Sequence, residues 1–164
     1  MRFAGLLYRA LNPLYAREPL SGEGAARFGG RFNRIGRPAL YTSLAPDTAL
    51  REANQVGTLQ PTTLVALIAE VEPLLDGRSA EALAPFGISI AALAEPAWRD
   101  RMLTRRAVPT QDLAEAAIGH GFAGILVPSY ARGALPDALN AVLWRWDGRL
   151  RLVDDTNRLG LEAR

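Results

Sequence analysis

Apolar residues along the chain fall mainly into strand-length runs, and one helical stripe is interrupted by an acid. Residues 5–10 read as a first strand and residues 39–42 as a second, short one. The Val-, Leu- and Ile-rich run at 62–71 predicts a central strand buried on both faces. Residues 124–127 form another apolar run that ends at Pro128-Ser129. Residues 141–146 and 149–153 flank Asp147-Gly148 and predict a β-hairpin, because Asp-Gly suits the tight two-residue turns.

Helical periodicity is more local. Pro46 suits a first helical turn and Asp47 complements the dipole there, so a helix should run to about Val56 and stop before Gly57. Short helices are expected at 79–83 and 89–93, and 98–106 reads as an exposed arginine-rich stretch. Thr110 would cap a helix to about Ile118, closed by Gly119 and Gly121. Residues 12–38 are long, irregular and glycine-rich; such a segment is usually functional or disordered, and Phe28 and Phe32 point to an ordered one. The sum is an α+β fold in one domain, residues 1–164.

Composition narrows the classes. With 164 residues, 49% hydrophobic and 22% charged, the chain can bury one core and is not a disordered segment. No apolar run is long enough to span a bilayer, and the N-terminal one is short and broken by Arg9, so a cytoplasmic protein is expected. Cysteine is absent and every one of the 19 Lys-or-Arg positions is arginine, which excludes thiolate chemistry, a Walker lysine and a Schiff-base lysine. One histidine and no cysteine leave no conventional imidazole- or thiolate-rich metal site, so no metal is expected. A net charge of +2 does not indicate a nucleic-acid field.

The candidate chemistry lies in 27–52. On the predicted helix Ala45, Ala49, Glu52 and Val56 share one face, so Glu52 interrupts a small apolar stripe. An acid there is paired with an arginine or faces a cleft, because burying it alone is costly. Arg31 follows Gly29-Gly30, where the backbone can approach a ligand and a guanidinium fork suits a diphosphate or carboxylate; a loop-pinning arginine is the alternative. Tyr41 alternates with Leu40 and faces the other side of its strand. Ser129 ends a strand but has no Gly-x-Ser-x-Gly context to make it a nucleophile. Gly22-Glu23-Gly24-Ala25-Ala26-Arg27 lacks the third glycine of a dinucleotide fingerprint. His120 reads as a helix-end residue, and Trp98, Trp144 and Trp146 as packing.

GGRFN, GRPALYTS, TALREA, GILVPS and NAVLW occur in that order, and together they resemble the RES-domain toxins of bacterial toxin–antitoxin systems. The resemblance covers roughly residues 21–155. It departs at Phe32, where tryptophan is common, and at Tyr130, where a small residue is common. The family's arginine, glutamate and serine would be Arg31, Glu52 and Ser129, with Tyr41 and Asn140 as further site residues.

The resemblance implies a fold related to the diphtheria-toxin-type ADP-ribosyltransferases and NAD as substrate. It implies catalytic roles for Glu52, Arg31 and Tyr41, and NAD binding by Arg31, Tyr41, Ser129 and Asn140. It also implies a cognate antitoxin with a DNA-binding domain whose other end blocks the site. The expected reaction is cleavage of the nicotinamide–ribose bond with ADP-ribose passed to a host protein; water or phosphate as acceptor, which would deplete NAD, is the alternative. A rival from another class is a nucleic-acid-binding module using Arg99, Arg101, Arg105 and Arg106, which the modest net charge and the lack of a motif disfavour.

Overall fold

The computed structural model describes residues 1–54 and 58–161. The strands are β1 (Phe3–Leu11), β2 (Leu40–Ser43), β3 (Thr63–Val71), β4 (Leu74–Asp76), β5 (Gly124–Pro128), β6 (Leu139–Leu143) and β7 (Leu150–Leu152). The helices are α1 (Glu23–Phe28), α2 (Pro46–Ala53), α3 (Ala80–Leu83), α4 (Ile90–Leu93), α5 (Trp98–Leu103) and α6 (Pro109–Gly119). This is an α+β fold built on a mixed sheet in the order β4-β5-β6-β2-β1-β3-β7.

The sheet has two well-knit parts. β1 and β3 pair along their whole length, from Phe3 opposite Val71 to Leu11 opposite Thr63. β2 pairs with β6 from Leu40 opposite Leu143 to Ser43 opposite Asn140, and β6 pairs in turn with β5. Between the parts, β1 and β2 are registered at one pair only, Tyr8 opposite Ser43.

Alternation along the strands feeds two cores. Leu7, Leu40, Leu67, Leu126 and Leu143 belong to one, with Trp146 packed against it. Ile125, Val127 and Val142 point the other way, into a core completed by Phe32, Leu83, Leu93, Leu113 and Trp144. A fully buried Leu or Ile contributes about 1.5–3 kcal/mol, so β5 and β6, buried on both faces, anchor the elements on each side.

Several expectations change. The run at 62–71 is not buried on both faces: Val65, Leu67, Ala69 and Val71 are buried, while Leu64 and Ile68 are 39% and 38% exposed. The hairpin at Asp147-Gly148 does not form. The turn exists, with Arg149 N–H donating to the Trp146 carbonyl at 2.9 Å, but β6 already has β5 and β2 on its two edges. β7 therefore crosses to pair with β3.

The segment 12–38 is ordered, but it contains α1, and of its two phenylalanines Phe32 is buried while Phe28 is exposed. β4 was not expected, and the arginine-rich stretch 98–106 opens with a helix, α5. α6 is capped from Val108 with Pro109 in its first turn, leaving the Thr110 hydroxyl for another use. α2 begins at Pro46 as expected, but the expected reach to Val56 and stop at Gly57 lie outside the described residues.

Candidate active site

A cleft of about 330 Å³ opens beside the Tyr8–Ser43 pair. Strands β1 and β2, helix α2, the Gly29–Phe32 loop and the start of α5 all contribute to its lining.

Glu52 enters from α2 as the helical phase predicts, next to the buried Ala49. Its Oε1 accepts two hydrogen bonds, from Ser129 Oγ at 2.5 Å and from Asn140 Nδ2 at 2.6 Å. Asn140 is itself oriented by Ser43 Oγ, which donates to its Oδ1 at 2.7 Å. The β2–β6 register makes that contact unavoidable, because Ser43 and Asn140 are cross-strand partners. The carboxylate is thus aimed by donors from the ends of two strands, and these bonds fix which way it faces.

Arg31 reaches the cleft from a loop whose backbone is tied at each step. Gly30 O accepts from Gln111 Nε2 at 2.8 Å, Arg31 O from Thr110 Oγ1 at 2.6 Å, and Phe32 O from Trp144 Nε1 at 2.9 Å. Three consecutive carbonyls are therefore held by side chains from α6 and from the end of β6. Asn33, fully buried, donates from Nδ2 to Ala25 O at 2.8 Å and Arg37 O at 2.9 Å. Ion pairs Arg34–Asp112 and Arg37–Glu115 fasten the far side of the loop to α6.

The Arg31 guanidinium donates from Nη1 to Leu93 O at 2.8 Å and to Glu95 O at 2.9 Å. It lies 4.6 Å from the Tyr130 ring centroid and 5.7 Å from that of Trp98, distances at which a cation is attracted by about 0.5–2 kcal/mol per ring. Partial burial lowers its pKa, opposed by the charges of its neighbours, Glu52 among them. Even so, an arginine stays cationic at neutral pH.

Tyr41 also lines the cleft, and its hydroxyl is fully engaged by the loop. It donates to Asn33 Oδ1 at 2.8 Å and accepts from Phe32 N–H at 3.0 Å. Burial pushes its pKa up, so it holds its proton and can serve as that donor. Only its ring is left to face a ligand.

All five residues singled out from the sequence, Arg31, Tyr41, Glu52, Ser129 and Asn140, therefore gather at one place: the last two touch Glu52, and Arg31 and Tyr41 line the same cleft. Trp98 was read as packing, yet it lines the cleft. Trp144 and Trp146 pack as expected, and each also fastens a loop, Trp146 Nε1 donating to Leu20 O at 3.0 Å. His120 is the residue that ends α6, its ring edge-on to Phe86. Sequence reasoning missed Ser43 and Gln111 and gave Thr110 only a capping role; all three polar side chains are buried, and burial is not visible in isolated Ser, Thr and Gln. No helix among the described residues is long and apolar enough to cross a membrane.

An α+β sheet parted at one seam, with an oriented carboxylate and a pinned arginine across the opening, defines a small-molecule cleft with acid and cation opposed. The RES domain family matches residues 6–161, and the chain belongs to that family. Among solved structures it is similar to a chain of the crystal structure of the M. tuberculosis MbcT-MbcA toxin-antitoxin complex. The TM-score is 0.64 at 23% identity, over 94% of this chain and 84% of that one, so the fold is shared. No curated protein matches the chain.

Proposed function

We propose that this protein is the toxin of a toxin–antitoxin pair and that it cleaves the nicotinamide–ribose bond of NAD. The observation that carries the reading is the Glu52 carboxylate, fixed by Ser129 and Asn140 in a cleft that also presents Arg31, in a chain of the RES family. The fold it shares with a chain of a toxin–antitoxin complex supports a cognate antitoxin as partner; we propose with it that the antitoxin blocks the site and carries a DNA-binding domain. We place the protein in the cytoplasm and take the chain as one NAD-binding unit of the ADP-ribosyltransferase type.

The chemistry follows from the charges. As the C1′–N bond breaks, its electron pair leaves with nicotinamide, whose ring nitrogen becomes neutral, so the leaving group needs no acid. Positive charge builds on C1′ and the ring oxygen, as in other glycosyl transfers. The Glu52 carboxylate holds the ribose hydroxyls and stabilises that charge, an effect strongest in the transition state. Arg31 grips the diphosphate through charge-assisted hydrogen bonds and so sets where C1′ sits relative to Glu52. The Tyr41 ring packs on the nicotinamide end. Ser129 and Asn140 orient the carboxylate; Ser129 donates a hydrogen bond to Glu52, keeps its proton and is not the nucleophile in this scheme. The acceptor then bonds to C1′ and gives up a proton.

We take the acceptor to be a protein side chain, making this a mono-ADP-ribosyltransferase. The test is incubation of the protein and a cell lysate with NAD labelled in its adenylate part. A labelled protein band supports transfer. Free ADP-ribose or its phosphate, with no labelled band, would overturn the transferase assignment and leave an NAD-depleting enzyme. No nicotinamide release at all would sink the proposal.

A further inference from the structure

Arg31 is held more completely than a ligand-binding arginine on a loop needs to be. The end of α4, the connection after it and the start of α5 supply three contacts to its guanidinium: Leu93 O, Glu95 O and the Trp98 ring. That connection is itself braced, with Glu95 Oε1 accepting from Ala97 N–H at 3.1 Å. Just past the end of β5, Tyr130 adds its ring at 4.6 Å. Both hydrogens of Nη1 are taken by the two carbonyls. Nε and Nη2 make no hydrogen bond among the described residues.

In a planar guanidinium the Nε–H and one Nη2–H point the same way and match two oxygens of one phosphate or carboxylate. Arg31 is thus left with one bidentate edge.

Tyr130 carries a second clue. Its Oη is buried and has no partner among the described residues. The hydroxyl makes no hydrogen bond to Arg31 whereas the ring face lies against the guanidinium, so the ring is the part that acts on Arg31. Tyr130 directly follows Ser129, which bonds Glu52, so a single turn of chain serves both halves of the cleft. The Trp98 ring is shared, with Arg99 lying 5.1 Å from its centroid, which makes Tyr130 the cleaner probe.

We propose that Tyr130 and Trp98 are positioning residues, an aromatic clamp that sets the Nε–Nη2 edge of Arg31 to grip two oxygens of one phosphate of the dinucleotide. The clamp rests on the NAD reading for its ligand but acts on binding, which can be measured without turnover. It makes the site selective for the phosphate-bearing substrate over the bare nicotinamide nucleoside.

The experiment compares wild type, Tyr130→Leu, Tyr130→Phe and Trp98→Leu, each first shown by circular dichroism and thermal melting to be folded. ADP-ribose binding is measured by calorimetry, and cleavage of NAD and of nicotinamide riboside by nicotinamide release. Tyr130→Leu and Trp98→Leu should weaken ADP-ribose binding roughly five- to thirtyfold, the fold-change that desolvated cation–π contacts correspond to. They should raise KM for NAD far more than they lower kcat, and leave KM for nicotinamide riboside, which has no phosphate, in place. Tyr130→Phe should restore most of the binding lost in Tyr130→Leu.

The clamp is refuted if Tyr130→Phe is as damaged as Tyr130→Leu, because the hydroxyl would then be the contact. It is equally refuted if wild type fails to bind ADP-ribose, or if Tyr130→Leu loses NAD and nicotinamide riboside alike. Wild type that binds ADP-ribose with the expected variant series, yet releases no nicotinamide, would sink the reaction and leave the clamp standing.

Discussion

Ser129 and Glu52 lie 77 residues apart in sequence and share a 2.5 Å hydrogen bond from the serine hydroxyl to the carboxylate Oε1. Asn140 donates to the same oxygen. Two donors converging on one oxygen leave the carboxylate little rotational freedom, so substrate would meet a charge already in place rather than one that must be organised during reaction.

Removing either donor should slow the reaction without unfolding the protein. A hydrogen bond to a charged group contributes about 1.5–3 kcal/mol, so Ser129→Ala is expected to lower kcat for nicotinamide release roughly 10- to 150-fold. Asn140→Asp should be worse, since a near-isosteric carboxylate would face Glu52 with like charge where a donor stood. An Asn140→Asp enzyme as active as Ser129→Ala would mean that Asn140 does not orient Glu52.

Glu52→Gln keeps shape and removes charge. If the carboxylate stabilises a developing cation, nicotinamide release should fall by three or more orders of magnitude, equivalent to roughly 4 kcal/mol or more, with ADP-ribose binding largely retained. Loss of binding in step with loss of turnover would point to a structural acid instead.

Gly30→Ala tests the loop that carries Arg31. A Cβ there would stand 2.3 Å from Tyr41 Oη and 2.7 Å from Asn33 Oδ1, two atoms already bonded to each other in a tight pocket. The expected cost is about 1–3 kcal/mol of stability, together with weaker NAD binding as Arg31 shifts. Gly24→Ala, in α1 with nothing within 4 Å of the added methyl, is the control. It should be neutral or stabilise by about 0.5–1 kcal/mol.

The Arg37–Glu115 pair gives a pH dependence with a definite sign. The Arg37 hydrogen bond, then its charge, holds the Glu115 carboxyl below its ordinary 4.5. A carboxyl depressed in the folded state contributes stability that is complete above 4.5 and is lost as pH falls through the folded value. Both groups are partly exposed, so screening keeps the contribution at about 0–1 kcal/mol. Arg37→Ala should therefore melt up to about 2–4 °C below wild type at neutral pH, with the gap closing in acid below that range. A gap that widened in acid would contradict the assignment.

What could be read from the sequence was residue type and local phase. Glu52 stood out because an acid broke a small-residue stripe, and Arg31 because glycines preceded it. Both sit where that logic puts them. What could not be read was mostly backbone chemistry. The partners of Arg31 are the carbonyls of Leu93 and Glu95, more than 60 residues away, and a carbonyl has no signature in the sequence. The failed hairpin has the same origin: Asp147-Gly148 favours a turn locally, but which strand β7 joins depends on which edges are free once β6 is flanked. At 62–71 composition suggested two buried faces, where only alternate residues are covered.

The lone Tyr8–Ser43 pairing has a further consequence. Elsewhere backbone hydrogen bonds knit neighbouring strands; here the two parts of the sheet share a single registered backbone pair and are otherwise joined by the apolar core that packs against both. A guest seated in the cleft touches β1 on one side and β2 on the other, and so acts as a missing rung. Occupancy would then be felt as mechanical stiffening away from the ligand: amide hydrogens of β3 and β4, neither of which lines the cleft, would exchange more slowly together when it is bound.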